Sequence, residues 1–184
     1  MLGPLPPAQG NLRYVVVAVE YFSKWIEAKP LATITSVTVQ KFFWQNIVCR
    51  FGVPKAITVD NGTQFDVEAF REFCEQIGTK LHFASVRHPE SNGLVERANG
   101  IIMTGIMKLF NQPRGKWPDE LIKVVWSHNT TISRSTGFTP FKLLFGDEAI
   151  TLEEAKAGSI RTMASTEDKA DYSVAKDAIE GIML

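Results

Sequence analysis

The sequence predicts an α/β domain in which a mixed sheet is flanked by helices. Three observations carry this. Short runs rich in β-branched and apolar residues are too brief for buried helices. They alternate with segments whose apolar residues recur every three or four positions. Gly and Pro punctuate the junctions. With 184 residues, one domain is the default and a sizeable core is affordable.

Residues 1–12 are Gly- and Pro-rich and read as irregular. Tyr14–Val19 is nearly all apolar and suits a strand buried on both faces. After a turn around Tyr21–Ser23, Lys24–Pro30 reads as an adjacent antiparallel strand. Thr35 or Ser36 caps a helix expected to reach Arg50, with Val39, Phe42, Phe43, Ile47 and Val48 at helical spacing. Gly52 and Pro54 stop it. Ala56–Asp60 is a short strand, expected to enter parallel to a neighbour after a right-handed crossover.

Glu68–Gln76 reads as a helix with Phe70, Phe73 and Cys74 inward, and Lys80–Ser85 as a further strand. His88–Gly93 reads as a polar loop. A long helix follows from Leu94 to about Phe110, with Leu94, Ala98, Ile101, Ile102, Gly105 and Leu109 as its apolar stripe. Trp117–Asn129 is another helix, and Thr139-Pro140 opens a short one that Gly146 ends. Residues 147–184 turn Glu-, Asp-, Lys- and Ala-rich. Ala170, Val174, Ala178 and Ile182 suggest an amphipathic helix there. The expected organisation is a domain over 1–146 and a charged extension over 147–184.

Several classes fall away. Twenty Lys and Arg balance twenty Asp and Glu, so no global basic excess attracts nucleic acid; any such binding must rest on local groups. Cys49 and Cys74 sit in helix-like apolar patterns and read as buried free thiols, not a disulfide framework. Three histidines and two cysteines have no zinc-finger spacing. No run is long and apolar enough to span a membrane, and the start lacks signal-peptide character, so an intracellular protein is expected.

Two carboxylates hold the chemistry. Asp60 ends a buried strand before Asn61-Gly62, and ligand sites in α/β sheets gather at such ends. Glu96 lies near the start of the long helix, on the side of Asn92 and Asn99 and away from the apolar stripe. Brought together, the pair would need a cation or a shared proton. All-oxygen ligation favours Mg²⁺ or Mn²⁺ over zinc. Each residue also has a plain structural reading. Asp before Asn-Gly bonds local backbone in turns, and Glu near a helix N-terminus suits the helix dipole. Residue physics alone leaves both readings open.

The spacing and flanking residues add a resemblance. Between Asp60 and Glu96 lie 35 residues. Around them stand Gly52-Val53-Pro54, Asp60-Asn61-Gly62-Thr63-Gln64-Phe65 and His88-Pro89-Glu90-Ser91-Asn92-Gly93-Leu94-Val95-Glu96-Arg97-Ala98-Asn99. Phe22-Ser23-Lys24-Trp25 and Ser135-Thr136-Gly137-Phe138-Thr139-Pro140-Phe141, with Gly146, complete an ordered set over about residues 1–146. This set resembles the integrase catalytic core of retroviruses and LTR retrotransposons, most closely the Ty3/gypsy-type elements of plants.

The resemblance implies a ribonuclease H-like fold and magnesium-dependent polynucleotidyl transfer on DNA. Water first trims the element's 3′ ends; the new 3′-hydroxyls then attack target DNA. It implies Asp60 and Glu96 as catalytic metal ligands and Mg²⁺ or Mn²⁺ as cofactor. Element ends and target DNA are the implied partners, with self-association, no membrane and a nuclear setting. Asn92, Arg97, Asn99 and Arg87 are candidate contacts to DNA phosphate or terminal bases, with a solvated surface role as the alternative. Arg87, His88, Lys108, Arg114 and Lys116 form a local basic patch or scattered surface charge. Trp25, Trp44, Trp117 and Trp126 read as core or interface residues.

One departure bears on activity. The family's first Asp lies three residues before the Gly-Pro that stands here as Gly3-Pro4, a position just ahead of Met1. The expectation is that residues 1–184 hold two of three catalytic carboxylates and lack most of the first, central strand. Glu20 matches a non-catalytic position. The 184-residue chain is thus expected to lack strand-transfer activity and to fold poorly. Another ribonuclease H-like nuclease or a DDE transposase fits the 35-residue spacing less well. A non-catalytic remnant that binds nucleic acid or self-associates is the reading from a different class.

Overall fold

The computed structural model describes residues 1–59, 67–83, 89–108 and 116–157. The chain separates into two compact units, Met1–Gly146 and Asp147–Leu184. In the second, the described element is a helix, Leu152–Ala157. Thr151 and Glu154 open it reciprocally: Thr151 Oγ1 accepts from Glu154 N–H, and the Glu154 carboxylate accepts from Thr151 N–H. The expected helix over 170–182 lies outside the described residues.

In the first unit, β1 (Tyr14–Val19) pairs antiparallel with β2 (Ile26–Leu31), Val15 facing Pro30 and Val19 facing Ile26. Both faces of β1 are covered, as its apolar run requires. Val15 enters a core cluster with Leu5, Ala8, Ile26, Ala98, Ile102, Ile106, Trp117 and Leu121. Val16 points the other way, onto Leu31 and Phe42.

The start of the chain is irregular, as expected, apart from a 3-10 turn over Gln9–Asn11, but it is anchored to the core. Leu2 and Val15 exchange two backbone hydrogen bonds at 2.9 Å, and Leu5 and Ala8 are buried. Proline on its exposed positions keeps the segment out of regular structure, so its apolar side carries no period that a pattern reading could find.

α1 (Ser36–Phe42) opens on a Thr35–Thr38 capping box. The helix widens to a π-helical segment over Phe43–Val48 and closes as α2 (Cys49–Phe51). The wide turn shifts the helix register, so the inward face is Val39, Phe42 and Phe43. Cys49 is exposed, against the expectation of a buried thiol. Cys74 is fully buried, and burial pushes its thiol pKa up.

β3 (Ala56–Val59) pairs with β4 (Lys80–Phe83), and the helix between them is α3 (Val67–Gln76). The pair is parallel, Ala56 facing Lys80 and Val59 facing Phe83. The parallel crossover therefore runs from β3 to β4, not into β3 from the preceding strands. Phe70 and Cys74 of α3 pack on Val39, with Met1, Ile57, Val59 and Leu81 around them. Among the described residues the strands form two two-stranded sheets, where the sequence suggested one. Only Leu2 continues the pairing on the free edge of β1.

The long helix, α4 (Pro89–Met107), starts earlier than expected. Pro89 suits the first helical position, where its missing N–H costs nothing, and the residues expected as a polar loop form its opening turns. Ala98, Ile102 and Ile106 face the core; burying such an aliphatic side chain contributes about 1.5–3 kcal/mol. α5 (Trp117–Asn129) begins and ends where its sequence pattern does. α6 (Pro140–Phe145) is capped by Thr139 Oγ1, which accepts from Lys142 N–H, and is closed by Gly146 in the left-handed conformation.

α4 and α5 touch at Gly105, where a Cβ would stand 2.5 and 2.7 Å from the two Val124 methyls. Helix propensity favours alanine over glycine by about 1 kcal/mol, whereas overpacking costs about 1–3 kcal/mol. Two contacts this short let overpacking win, so Gly105→Ala is expected to lower the urea midpoint. Val124→Ala placed in the same chain is expected to turn Gly105→Ala stabilising. A stabilised Gly105→Ala single variant would contradict this packing.

Candidate functional site

Glu96 stands in the second turn of α4 and is exposed. Asn99 follows at i+3 on the same side of the helix. Its Oδ1 is buried and has no hydrogen-bond partner among the described residues. A buried acceptor oxygen of this kind requires a donor or a cation. Asn92 lies one helical turn before Glu96, in the opening of the same helix. Glu96 and Asn99 thus share one side of α4, while Ala98 and Ile102 hold the helix to the core.

Arg97 parts from this group. It is exposed and lines a narrow cleft with Leu94, Ala98 and Ile101 of α4, Lys24 and Ile26 from the β1–β2 region, and His128 and Ser133 from α5 and beyond. At about 100° of rotation per residue, Glu96 lies at least about 100° from each α4 residue in that cleft. Arg97 is therefore a neighbour of Glu96 in sequence and belongs to a different surface.

Asp60 and Arg87 lie outside the described residues, as do His88 and Arg114. β3 and β4 finish side by side at Val59 and Phe83, and Asp60 is the next residue in sequence after Val59. Lys108 and Lys116 are exposed. Among the described residues, no three His, Cys, Asp or Glu side chains gather as a metal site. Glu20 is committed elsewhere. Its carboxylate accepts from Phe22 N–H, Ser23 N–H and Ser23 Oγ, clamping the β1–β2 turn. Partial burial pushes its pKa up, but those hydrogen bonds and the Lys24 charge outweigh burial and hold it below the usual carboxylate value.

A concavity of about 440 Å³ lies between the end of α3 and the start of β4, lined by Arg71, Glu75, Lys80 and His82 among others. It sits at the opposite end of the parallel pair from Val59 and Phe83, away from the strand ends where α/β sites gather.

Sequence reasoning missed three features here. Tyr21 and Phe22 are exposed at the β1–β2 turn. His128 Nε2 lies 3.0 Å from Lys24 O, and Asn129 bonds both backbone groups of Ile26. The last two join residues about a hundred positions apart, which no local pattern signals. Of the tryptophans, Trp25 and Trp117 are buried, as expected of core residues, whereas Trp44 and Trp126 are half exposed.

A family model described as the integrase core domain matches residues 2–89. The Gag-Pol polyprotein of avian reticuloendotheliosis virus is 34% identical over 139 residues, 76% of this chain and 12% of that protein. The Pro-Pol polyprotein of simian foamy virus type 3 (strain LK3) is 36% identical over 151 residues, 82% of this chain and 13% of that protein. The chain belongs to the integrase core family.

Its integrase core spans about an eighth of the polyproteins it matches and adopts the ribonuclease H-like fold. The HTLV-2 integrase catalytic core domain, solved in complex with magnesium in a trimeric form, superposes with a TM-score of 0.59 at 28% identity. That likeness covers 71% of this chain and 83% of the viral one. No described helix of this integrase core is long and apolar enough to cross a membrane.

Proposed function

We propose that residues 1–146 are the catalytic core of a retroelement integrase, with residues 147–184 as a charged extension. The core carries out magnesium-dependent 3′-end processing and strand transfer on DNA when its third carboxylate is supplied. Asp60 and Glu96 are the catalytic and metal-holding residues. The observation that carries this is the side of α4 where exposed Glu96 stands beside the buried Oδ1 of Asn99, partnerless among the described residues. These are hard oxygen donors without sulfur or imidazole, the set that suits Mg²⁺ or Mn²⁺.

When bound, such ions supply an activated water or hydroxyl and stabilise the leaving oxygen of a phosphodiester. The protein's own part is positioning. The buried stripe of α4 fixes the backbone that carries Glu96, and Asn99 supplies a buried acceptor one turn further on. Asn92, Asn99 and Arg87 contact DNA near the reacting bond; Arg97 contacts it from the cleft side. Element ends and target DNA are the substrates, the core self-associates, and its setting is the nucleus. Two carboxylates hold divalent ions less well than three, so the 184-residue chain binds metal weakly and lacks strand transfer.

Manganese binding tests the site without requiring activity. In a Mn²⁺ titration followed by paramagnetic broadening of backbone amides, signals of residues near Glu96 are expected to fade first. Glu96→Gln and Asp60→Asn are each expected to weaken that binding tenfold or more, the low end of the about 10–100-fold seen for lesser perturbations of metal sites. Broadening that survives both substitutions, or centres on another part of the chain, would refute the assignment.

A further inference from the structure

We propose that the β1–β2 turn, together with the rim of the cleft behind it, binds an unpaired nucleic-acid strand. The ligand class rests on the integrase reading; the site rests on the turn itself. Tyr21 is 58% exposed and Phe22 69% exposed. Two adjacent exposed rings at a loop tip are costly to present unless they meet something.

The tip is held rigidly. Glu20 accepts three hydrogen bonds from Phe22 and Ser23, and Lys24 N–H donates to Glu20 O. Lys24 takes a positive φ of 65°, which the turn imposes on a non-glycine residue. From behind, His128 holds the Lys24 carbonyl. A turn backbone fixed in this way loses little freedom on binding.

The charge beside the rings is positive. The Lys24 ammonium bonds Tyr21 O and lies 4.5 Å from the centre of the Tyr21 ring. The same cleft is lined by Lys24, Arg97, Ser133 and Ser135, and Arg134 is exposed between those two serines. The ion pairs among the described residues involve none of Lys24, Arg97 and Arg134. The cleft interior, about 40 Å³, has room for a water but not for a base, so a ligand lies across the rim.

Aromatic faces interleaved with cations fit one chemistry well. Unstacked bases lie on the rings while their phosphates meet the ammonium and guanidinium groups. Duplex DNA offers the phosphates but hides its base faces. A protein partner would gain from the rings and lose by desolvating three cations. Because Glu96 faces another side of α4, this surface holds a strand away from the reacting bond.

Fluorescence anisotropy with labelled oligo-dT and a duplex of equal length tests this on the full 184-residue chain. The Tyr21→Ala/Phe22→Ala double variant is expected to bind oligo-dT at least tenfold more weakly, with the duplex changed less than about twofold. Tyr21→Phe with Phe22→Tyr is expected to keep native binding, which separates lost rings from lost fold. Arg97→Gln with Arg134→Gln is expected to weaken both ligands and to flatten the oligo-dT salt slope by roughly 1.4, about 0.7 per lost charge. Glu96→Gln is expected to leave oligo-dT binding intact. The integrase reading can thus fail at the metal while this surface still binds. Equal losses on oligo-dT and duplex from the alanine pair, or no loss on oligo-dT, would overturn the proposal.

Discussion

Purified by itself, the 184-residue chain is expected to show no magnesium-dependent strand transfer. The same chain carrying a short β-strand with an aspartate directly ahead of Met1 is expected to gain it. The reason lies in the pairing at Leu2. Leu2 and Val15 exchange both backbone hydrogen bonds in antiparallel register. A residue two places before Leu2 would therefore face Val17, and by strand alternation its side chain would leave the sheet on Leu2's side. Leu2 packs on the cluster that contains Ala98 and Ile102 of α4. Glu96 lies two residues before Ala98 on that helix. The added carboxylate thus approaches the end of α4 where Glu96 and Asn99 stand. A third anionic oxygen ligand strengthens divalent binding and fixes charge where the phosphoryl group reacts. Loss of one preorganised electrostatic partner of this kind costs on the order of 10²–10³ in rate.

An end-labelled duplex assay with an EDTA control reads the outcome. An asparagine in place of the added aspartate is expected to give the stability of the extended chain without its activity, and Glu96→Gln in the extended chain is expected to return the signal to background. Robust transfer by the unextended chain, or none from a folded aspartate-bearing chain, would sink the idea.

Legibility in the sequence followed the range of the interactions involved. α5 was readable end to end because its apolar period, early Pro118 and acidic first turn are all local signals. β1 was readable because both its faces are buried. The start of α4 was hidden by Ser91-Asn92-Gly93, which favours turns unless a long helix behind it imposes its geometry. Exposure of Cys49 was hidden by the wide turn before it, since a π-helical segment breaks the 3.6-residue count. At the candidate site, the grouping of Glu96 with Asn99 follows from helical spacing and was visible at once. Assignment of Arg97 to a separate cleft depends on Lys24 and His128, which only the tertiary fold brings to it.

Asn129→Ala is expected to destabilise the fold more than any surface change, by about 2–6 kcal/mol. Asn129 is 2% exposed at the end of α5. Its Oδ1 accepts from Ile26 N–H at 3.0 Å, and its Nδ2 donates to Ile26 O at 3.0 Å. One amide side chain so ties a helix end to the start of β2, across 103 residues of sequence. Removing it leaves two buried backbone groups without partners, each costing about 1–3 kcal/mol. For a chain of this size that is a fall in Tm of roughly 4–24 °C. Asn129→Asp keeps the acceptor for Ile26 N–H, so it is expected to lie between the native chain and alanine while its carboxyl is protonated, and to become less stable than alanine as pH rises and a buried carboxylate oxygen is set against Ile26 O. The latch also fixes the strand that emerges from the Tyr21–Lys24 turn, with His128 next to it holding Lys24 O. Weaker oligo-dT binding is therefore expected to accompany the lost stability in Asn129→Ala. Thermal denaturation followed by circular dichroism gives the first quantity, and an Asn129→Leu chain as stable as the native one would show that the two hydrogen bonds contribute nothing.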